Sequence, residues 1–380
     1  MRSTILVLPH VLSMDPAKSC LRQKLPYLQQ ITEASSLFRL TNVAESKIPE
    51  AAMLGFGPDS LDASEGVLIM SALGADPPEK SVHFHMQLGS LGDSGVVEVV
   101  RDAPTEAEVR ALMAAAARLE TDRLAIVAGQ NLSHGLVWLA GSLDLQTHSL
   151  ASVAGSEIAR HLPEGDGEKM LKRFIEDSVD LLSGLELNRR RFDQGLAPLN
   201  LLWPWGQGLR PYVENQAIRR GISATIFSAS MRLAGLARLA GYAHAPREGL
   251  GNGFNFDTDY LANQLFIKER SVVVLDSFTR LRAAERVEEG EWLWRELDGK
   301  LISKWALAPA DEGRRLVLLF PSGFCQPEKP PIDAATGGLG IIFDPNRRES
   351  STVPLDERAL EESRLPQMNL WEIVNSELSG

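Results

Sequence analysis

Three short, almost continuous apolar runs constrain the fold of this chain more than any other feature of its sequence. They are TILVL at residues 4–8, SVVVL at 271–275 and LVLLF at 316–320. Leucine and β-branched residues dominate them, and Pro9 ends the first run. Strands of this kind are buried on both faces, as in parallel sheets that helices cover on both sides. We therefore expect the three runs to be strands of an α/β core.

Helical and strand patterns alternate through much of the remaining chain. This alternation predicts a doubly wound, mostly parallel sheet. Further strands are predicted at residues 38–41, 199–203 and 338–343, and helices at 20–32, 168–187, 223–240 and 355–378.

A different pattern begins at about residue 75. Residues 81–87 (SVHFHMQ) alternate as a half-exposed strand does, and residues 105–119 predict a helix with Thr105 as its N-cap. Residues 96–100 alternate more weakly, residues 124–127 and 136–139 predict two more strands, and the cluster PEGDG at 163–167 marks a linker. We therefore expect an α+β unit at residues 76–163, inserted into a core formed by residues 1–75 and 164–380.

Composition restricts the classes of partner. The net charge of −11 disfavours non-specific binding to nucleic acid or to an anionic membrane. No run approaches the roughly 18 apolar residues of a membrane span, and the apolar run before Pro9 is too short for a secretory signal. Cys20 and Cys325 have no disulfide or zinc-site spacing. We expect a cytoplasmic protein without nucleic-acid or membrane partners.

The most distinctive stretch is NRRRFDQGLAPLNLLWPWGQGLRP at residues 188–211. It resembles the pattern N-x-x-R-x-x-x-G-x-x-P-A-N-x-x-W-x-W-G-Q-G-x-x-P of archaeal-type 2,3-bisphosphoglycerate-independent phosphoglycerate mutases, with Leu199 where that family has Ala. The matching residues are Asn188, Arg191, Gly195, Pro198, Asn200, Trp203, Trp205, Gly206, Gln207, Gly208 and Pro211.

Shorter matches extend the resemblance over nearly the whole chain, with modest identity. They include MLGFGP at residues 53–58, which is similar to I-L-G-Y-D-P, and FDTDY at 256–260, which is similar to L-D-T-N-Y. The resemblance implies the alkaline phosphatase superfamily fold, an α/β core with an inserted lid domain. In active members two divalent metals activate a Ser that moves a phosphoryl group between two glycerate hydroxyls. Two metals suit this chemistry because they stabilise both the attacking and the leaving oxygen.

The segments that match the family's metal sites lack its ligand types. The family's Asp-Gly after the first strand is replaced by Pro9-His10, and its nucleophile position is Ser46, without the flanking Gly, Asp and His. The family's D-E-A-G-H aligns with RLRAA at 280–284, and its G-D-H aligns with PSG at 321–323. A guanidinium cannot bind a metal ion, and a serine hydroxyl is inert without a base or metal beside it.

These departures predict a metal-free, catalytically inactive homologue that has no cofactor. We expect this homologue to bind a phosphorylated or carboxylate small molecule. The candidate ligand-binding residues are Arg280, Arg210, Gln207 and Ser322; Ser46 is catalytic only if the chain is active. We expect Ser46, Arg280 and Ser322 to lie together at the carboxyl ends of the strands. The alternatives are an active, metal-dependent mutase or related glycolytic phosphotransferase with relocated ligands, and a structural or interaction protein. Oligomeric state stays open.

Several other side chains have two interpretations. His83 and His85 share one strand face, which predicts a solvated face more readily than a two-ligand metal site. Trp203 and Trp205 are expected to pack the sheet against helices, and the arginines at 189–191 to form a solvated helix end rather than an anion site. Arg280 has the alternative of pairing with an acid such as Glu285.

Overall fold

The computed structural model divides the chain into two compact units. The core unit consists of Met1–Asp62 and Val213–Gly380, and the insert unit of Ala63–Tyr212. The structure describes residues 2–9, 24–41, 48–57, 61–221, 223–245, 250, 254–309, 314–321, 338–346 and 363–379.

The described residues form fifteen strands and thirteen α-helices, numbered along the chain. The strands are β1 (Arg2–Val7), β2 (Ser36–Thr41), β3 (Ser81–Leu91), β4 (Val97–Glu98), β5 (Leu124–Gln130), β6 (Ser133–Leu139), β7 (Leu145–Gln146), β8 (Glu164–Gly165), β9 (Leu201–Gly208), β10 (Thr225–Ser228), β11 (Ala243–His244), β12 (Arg270–Val274), β13 (Arg314–Phe320), β14 (Leu339–Phe343) and β15 (Gln367–Asn369). The helices are α1 (Pro26–Glu33), α2 (Glu65–Ala72), α3 (Glu106–Ala116), α4 (Leu150–Val153), α5 (Glu168–Ser183), α6 (Glu186–Asp193), α7 (Gln216–Arg220), α8 (Met231–Leu239), α9 (Thr258–Ile267), α10 (Ser277–Ala283), α11 (Val287–Glu296), α12 (Ser303–Ala306) and α13 (Leu370–Ser379).

The core unit is built on one large sheet with the strand order β11-β10-β12-β1-β13-β14-β2-β15. Strand β1 lies between β12 and β13 and is parallel to both, whereas β14 runs antiparallel to both of its neighbours. Leu6, Val273 and Leu318 are in register and enter one buried cluster with side chains of α1, α9 and α11. The three apolar runs are therefore adjacent strands, and the predicted α/β fold with a mostly parallel sheet is confirmed.

The segment predicted as one helix at residues 223–240 contains a strand and a helix. Strand β10 is wholly buried and pairs with β12, because its residues Thr225, Ile226 and Phe227 favour extended backbone. Ser230 then begins α8, where its Oγ accepts a hydrogen bond from the backbone N–H of Leu233 at 3.4 Å. The alanines and leucines of α8 favoured the prediction of one continuous helix, so the preceding strand was missed.

The insert unit is an antiparallel sheet with helices on both faces. Strand β3 pairs with β6 on one side and with β9 on the other. Its side chains Val82, Phe84, Met86 and Leu88 join a buried cluster with α3 and α5. Helix α2 covers the opposite face, where Gly66 lies directly against the backbone of His83.

The insert unit is longer than the segment predicted at residues 76–163, because it also contains α2 and all residues through Tyr212. The strand predicted at residues 199–203 belongs to it: β9 pairs with β3 and not with the large sheet. The helix predicted at 168–187 is two helices, α5 and α6. No helix in the described residues is long and apolar enough to span a membrane.

Candidate functional site

The carboxyl ends of β1 and β12 meet at one edge of the large sheet. Beyond the strands, the backbone N–H of Leu275 donates to the carbonyl of Val7 at 3.0 Å. The hydroxyl of Thr279 in α10 donates to the carbonyl of Pro9 at 3.0 Å. The chain after β1 and the helix after β12 therefore form one surface, the position at which open α/β sheets bind ligands.

Arg280 lies on this surface, in the middle of α10. Its Nε donates to Oδ2 of Asp276 at 3.1 Å, and the side chain is 49% exposed. Asp276, and not Glu285, is thus the acid that pairs with it. The spacing of four residues on a helix was the sequence signal for this pair.

A second acid–guanidinium pair follows the neighbouring strand β10. Arg232 in α8 donates from Nε to Oε1 of Glu50 at 2.8 Å, and both side chains are partly exposed. Glu50 stands four residues after Ser46 in the sequence. Ser46 itself, His10 and Ser322 lie outside the described residues, so the convergence of Ser46, Arg280 and Ser322 stays a prediction.

The other two predicted ligand-binding residues lie in the insert unit and have partners there. Gln207 donates its amide to the carbonyl of Leu145 and accepts from the hydroxyl of Thr147 at 2.6 Å. Arg210 pairs with Asp76 at 2.7 Å, and both side chains are largely exposed. Gln207 therefore ties two strands together, whereas Arg210 is a surface residue.

The remaining residues of the 188–211 stretch also have structural roles. The Asn188 amide donates to the carbonyls of Leu182 and Leu199 and accepts from the N–H of Leu199. Arg191 is 2% exposed, and its guanidinium donates to Glu108 at 2.9 Å. The prediction that Arg191 belongs to a solvated helix end is therefore wrong.

The two glycines of the WGQG run give α2 its place against β9. A Cβ on Gly208 would lie 2.2 Å from Oγ of Ser64, the N-cap of α2. Gly206 has a φ of +64°, and a Cβ there would lie 2.7 Å from Cβ of Glu65. Side chains at either position would displace the start of the helix.

The histidines of β3 are buried, so the prediction of a solvated face is wrong. His83 and His85 are 3% and 4% exposed beneath α2, and the His85 ring packs 5.3 Å from the Trp205 ring. Burial lowers the pKa of His85 to about 4. The ring is therefore neutral at pH 7, and the Glu65 carboxylate 3.6 Å from its Nδ1 does not form an ion pair with it.

His134 in β6 is fully buried. Its Nδ1 accepts a hydrogen bond from the N–H of Gly129 at 2.9 Å. Burial lowers its pKa to about 4, with a smaller contribution from His85. It therefore stabilises the turn between β5 and β6 and carries no positive charge at pH 7.

The described side chains at the sheet edge do not fit a two-metal centre. Within the part of the chain that the structure describes, no group of three or more His, Cys, Asp or Glu is arranged to hold a metal ion. The Asp276 carboxylate at this edge is paired with the guanidinium of Arg280. Metals of this class need several carboxylate or imidazole donors together.

Known proteins similar to this chain carry one recurring name. This chain is 26% identical over 220 residues to a probable 2,3-bisphosphoglycerate-independent phosphoglycerate mutase of Geobacter sulfurreducens, and the match covers 57% of this chain and 55% of that protein. A 2,3-bisphosphoglycerate-independent phosphoglycerate mutase 2 of Methanothermobacter thermautotrophicus is 27% identical over 221 residues, covering 58% and 54%. The chain thus spans about half the length of the curated relatives it matches. No family model matches it.

Solved structures share the fold over the full length. The PH0037 protein of Pyrococcus horikoshii superposes with a TM-score of 0.69 at 13% identity, covering 99% of this chain and 96% of the other. The cofactor-independent phosphoglycerate mutase of Thermoplasma acidophilum superposes with a TM-score of 0.61 at 15% identity, covering 100% of both. The chain is therefore related to 2,3-bisphosphoglycerate-independent phosphoglycerate mutases and has the fold of a cofactor-independent one.

Proposed function

We propose that this protein binds a phosphorylated or carboxylate small molecule at the carboxyl edge of the large sheet and does not catalyse metal-dependent phosphoryl transfer. The observation that carries the proposal is Arg280. It is a half-exposed guanidinium on the helix after β12, and the sequence resemblance aligns it with the first Asp of the family's D-E-A-G-H motif. A fixed positive charge there attracts an anion and repels a divalent cation.

The bond between Arg280 and Asp276 leaves room for a ligand. An exposed pair of this kind contributes only about 0–1 kcal/mol, so an anion can displace the carboxylate at little cost. A phosphate or carboxylate accepts two parallel hydrogen bonds from a guanidinium, which is stronger than the hydrogen bond from Arg280 Nε to Oδ2 of Asp276. The exposed part of the Arg280 side chain is therefore the binding group.

The absence of phosphoryl transfer follows from the donor set. A serine nucleophile needs a base or a metal to become reactive, and Ser46 has lost the family's flanking Gly, Asp and His. The described carboxylates at the sheet edge are Asp276 and Glu50, and each is paired with an arginine. We expect these residues to hold an anion without moving a proton or a phosphoryl group.

Two measurements on the full chain test the proposal. Thermal shift with sulfate, phosphate, 2-phosphoglycerate and 3-phosphoglycerate should show stabilisation that a chelator does not change, because a native-state ligand raises apparent stability. A coupled mutase assay with manganese, zinc, cobalt or magnesium should show no more turnover than Ser46→Ala. Turnover that Ser46→Ala abolishes, or stabilisation that requires metal, would overturn the proposal.

A further inference from the structure

The insert unit contains an open groove of about 820 Å³ between the chain that follows β3 and the chain that follows α6. This volume lies within the range of binding pockets. Its floor contains Ser183, Asn188 and Asn200, and these side chains already bond within the unit. An occupant is therefore selected by the walls and the rim.

Two exposed apolar side chains line this groove. Phe192 is 75% exposed and Val99 is 62% exposed. Leu196 and Pro198 extend the apolar wall. Apolar side chains that gather on one concave surface mark an interaction site more often than the same residues scattered singly.

Acidic side chains outnumber basic ones in the lining. The carboxylates are Asp93, Glu98, Asp102 and Asp193, and the guanidiniums are Arg101 and Arg189. Arg189 also faces Glu186, which lies outside the lining, at 3.7 Å. Among the described residues, no side chain pairs with the carboxylates of Asp93, Asp102 or Asp193. The groove therefore combines an apolar wall with unneutralised negative charge.

We propose that this groove binds an arginine-containing segment of a partner protein, with a guanidinium over the Phe192 ring and against the neighbouring carboxylates. A guanidinium satisfies both features at once, because it stacks on aromatic faces and pairs with carboxylates. Arginine is also enriched at protein interfaces. The core unit contains the same arrangement internally: Arg286 lies 5.1 Å from the centre of the Phe254 ring while it bonds to Glu289.

Fluorescence anisotropy with the full chain tests this proposal. The probe is a labelled nine-residue peptide of alternating Arg and Leu, compared with the same peptide carrying Glu in place of Arg. The arginine peptide should bind, and Phe192→Ser and the double variant Asp102→Asn/Asp193→Asn should each weaken binding by about tenfold or more. Phe192 is exposed, so its replacement should leave folding intact.

The matched control is Asp122→Asn/Glu176→Gln, which removes two exposed carboxylates of the same unit outside the groove. It should bind as the unchanged protein does. Equal weakening in this control would mean general attraction to a protein of net charge −11 and would overturn the proposal. Failure of the arginine peptide to bind, or self-association in sedimentation velocity that Phe192→Ser abolishes, would overturn it as well.

Discussion

At the scale of single residues, Arg280 and Asp276 make the anion proposal testable by two changes with opposite effects. Arg280→Ala should remove the stabilisation by phosphate, because it removes the binding group. Asp276→Asn should increase it, because the competing carboxylate is gone, and the Asp276 side chain makes no capping hydrogen bond to the backbone of α10 that the change could break. The measurement is the phosphate-induced shift of the melting temperature in each variant.

Arg295→Ala is the control for Arg280→Ala. Arg295 is an exposed arginine of α11 in the same unit, so its removal changes the net charge equally. The anion-induced shift should stay at the unchanged protein's value. If Arg280→Ala and Asp276→Asn both leave the shift unaltered, the pair only stabilises α10 and the anion site lies elsewhere.

Arg191 and Glu108 give a second prediction at this scale. Arg191→Ala removes the donor to Oε1 of Glu108 and the donor to the carbonyl of Ala197. Leaving a partly buried acceptor without its donor costs about 1–3 kcal/mol. Urea denaturation should show a loss of this order, against less than about 0.5 kcal/mol for the exposed neighbour in Arg189→Ala. Equal losses would mean that Arg191 contributes no more than a surface arginine.

At the scale of elements, the WGQG run predicts how α2 is seated on β9. Gly206→Ala adds a side chain at a φ of +64° and places its Cβ 2.7 Å from that of Glu65. Gly195→Ala has a similar φ of +71° but open space around the Cβ. The first variant should lose about 1–3 kcal/mol more in denaturation than the second, because overpacking adds to backbone strain. Similar losses would show that α2 shifts to accommodate the added Cβ without a further loss of stability.

The same strand shows what the sequence can and cannot predict about elements. The apolar residues at 201–203 predict a strand correctly, but a strand pattern does not specify its partner. β9 pairs with β3, more than a hundred residues earlier, and this pairing moves the whole 188–211 stretch into the insert unit. The structural roles of Asn188, Arg191 and Gln207 follow from that placement, which no local pattern contains.

At the scale of the whole molecule, the fold was predictable because its determinants are local and repeated. Three apolar runs with helices between them specify adjacent parallel strands. The site was predictable only in part. Arg280 lies on the helix after β12, but its pairing with Asp276 depends on α10, a helix that the sequence pattern did not indicate. The burial of His83 and His85 depends on α2. The strand pattern at residues 81–87 does not show that a helix covers this face.

Two buried histidines of the insert unit, His85 and His134, make the stability of the folded protein depend on pH. Burial lowers the pKa of His85 and of His134 from 6.5 to about 4. The unfolded chain therefore binds more protons than the folded one between these values, so stability is full above pH 6.5 and falls as the pH approaches 4. Each shift of this size corresponds to about 3 kcal/mol in total, of which about 2 kcal/mol is lost between pH 7 and pH 5.

Replacing one ring isolates its contribution. His85→Gln removes one titrating group, so the loss in unfolding free energy between pH 7 and pH 5 should be smaller by about 2 kcal/mol than in the unchanged protein. His161→Gln, a partly exposed histidine of the same unit, is the control and should retain the full loss. The measurement is urea denaturation at both pH values. An unchanged pH dependence in His85→Gln would mean that the ring gains a proton in the folded state without cost, with the Glu65 carboxylate 3.6 Å away as its counter-ion.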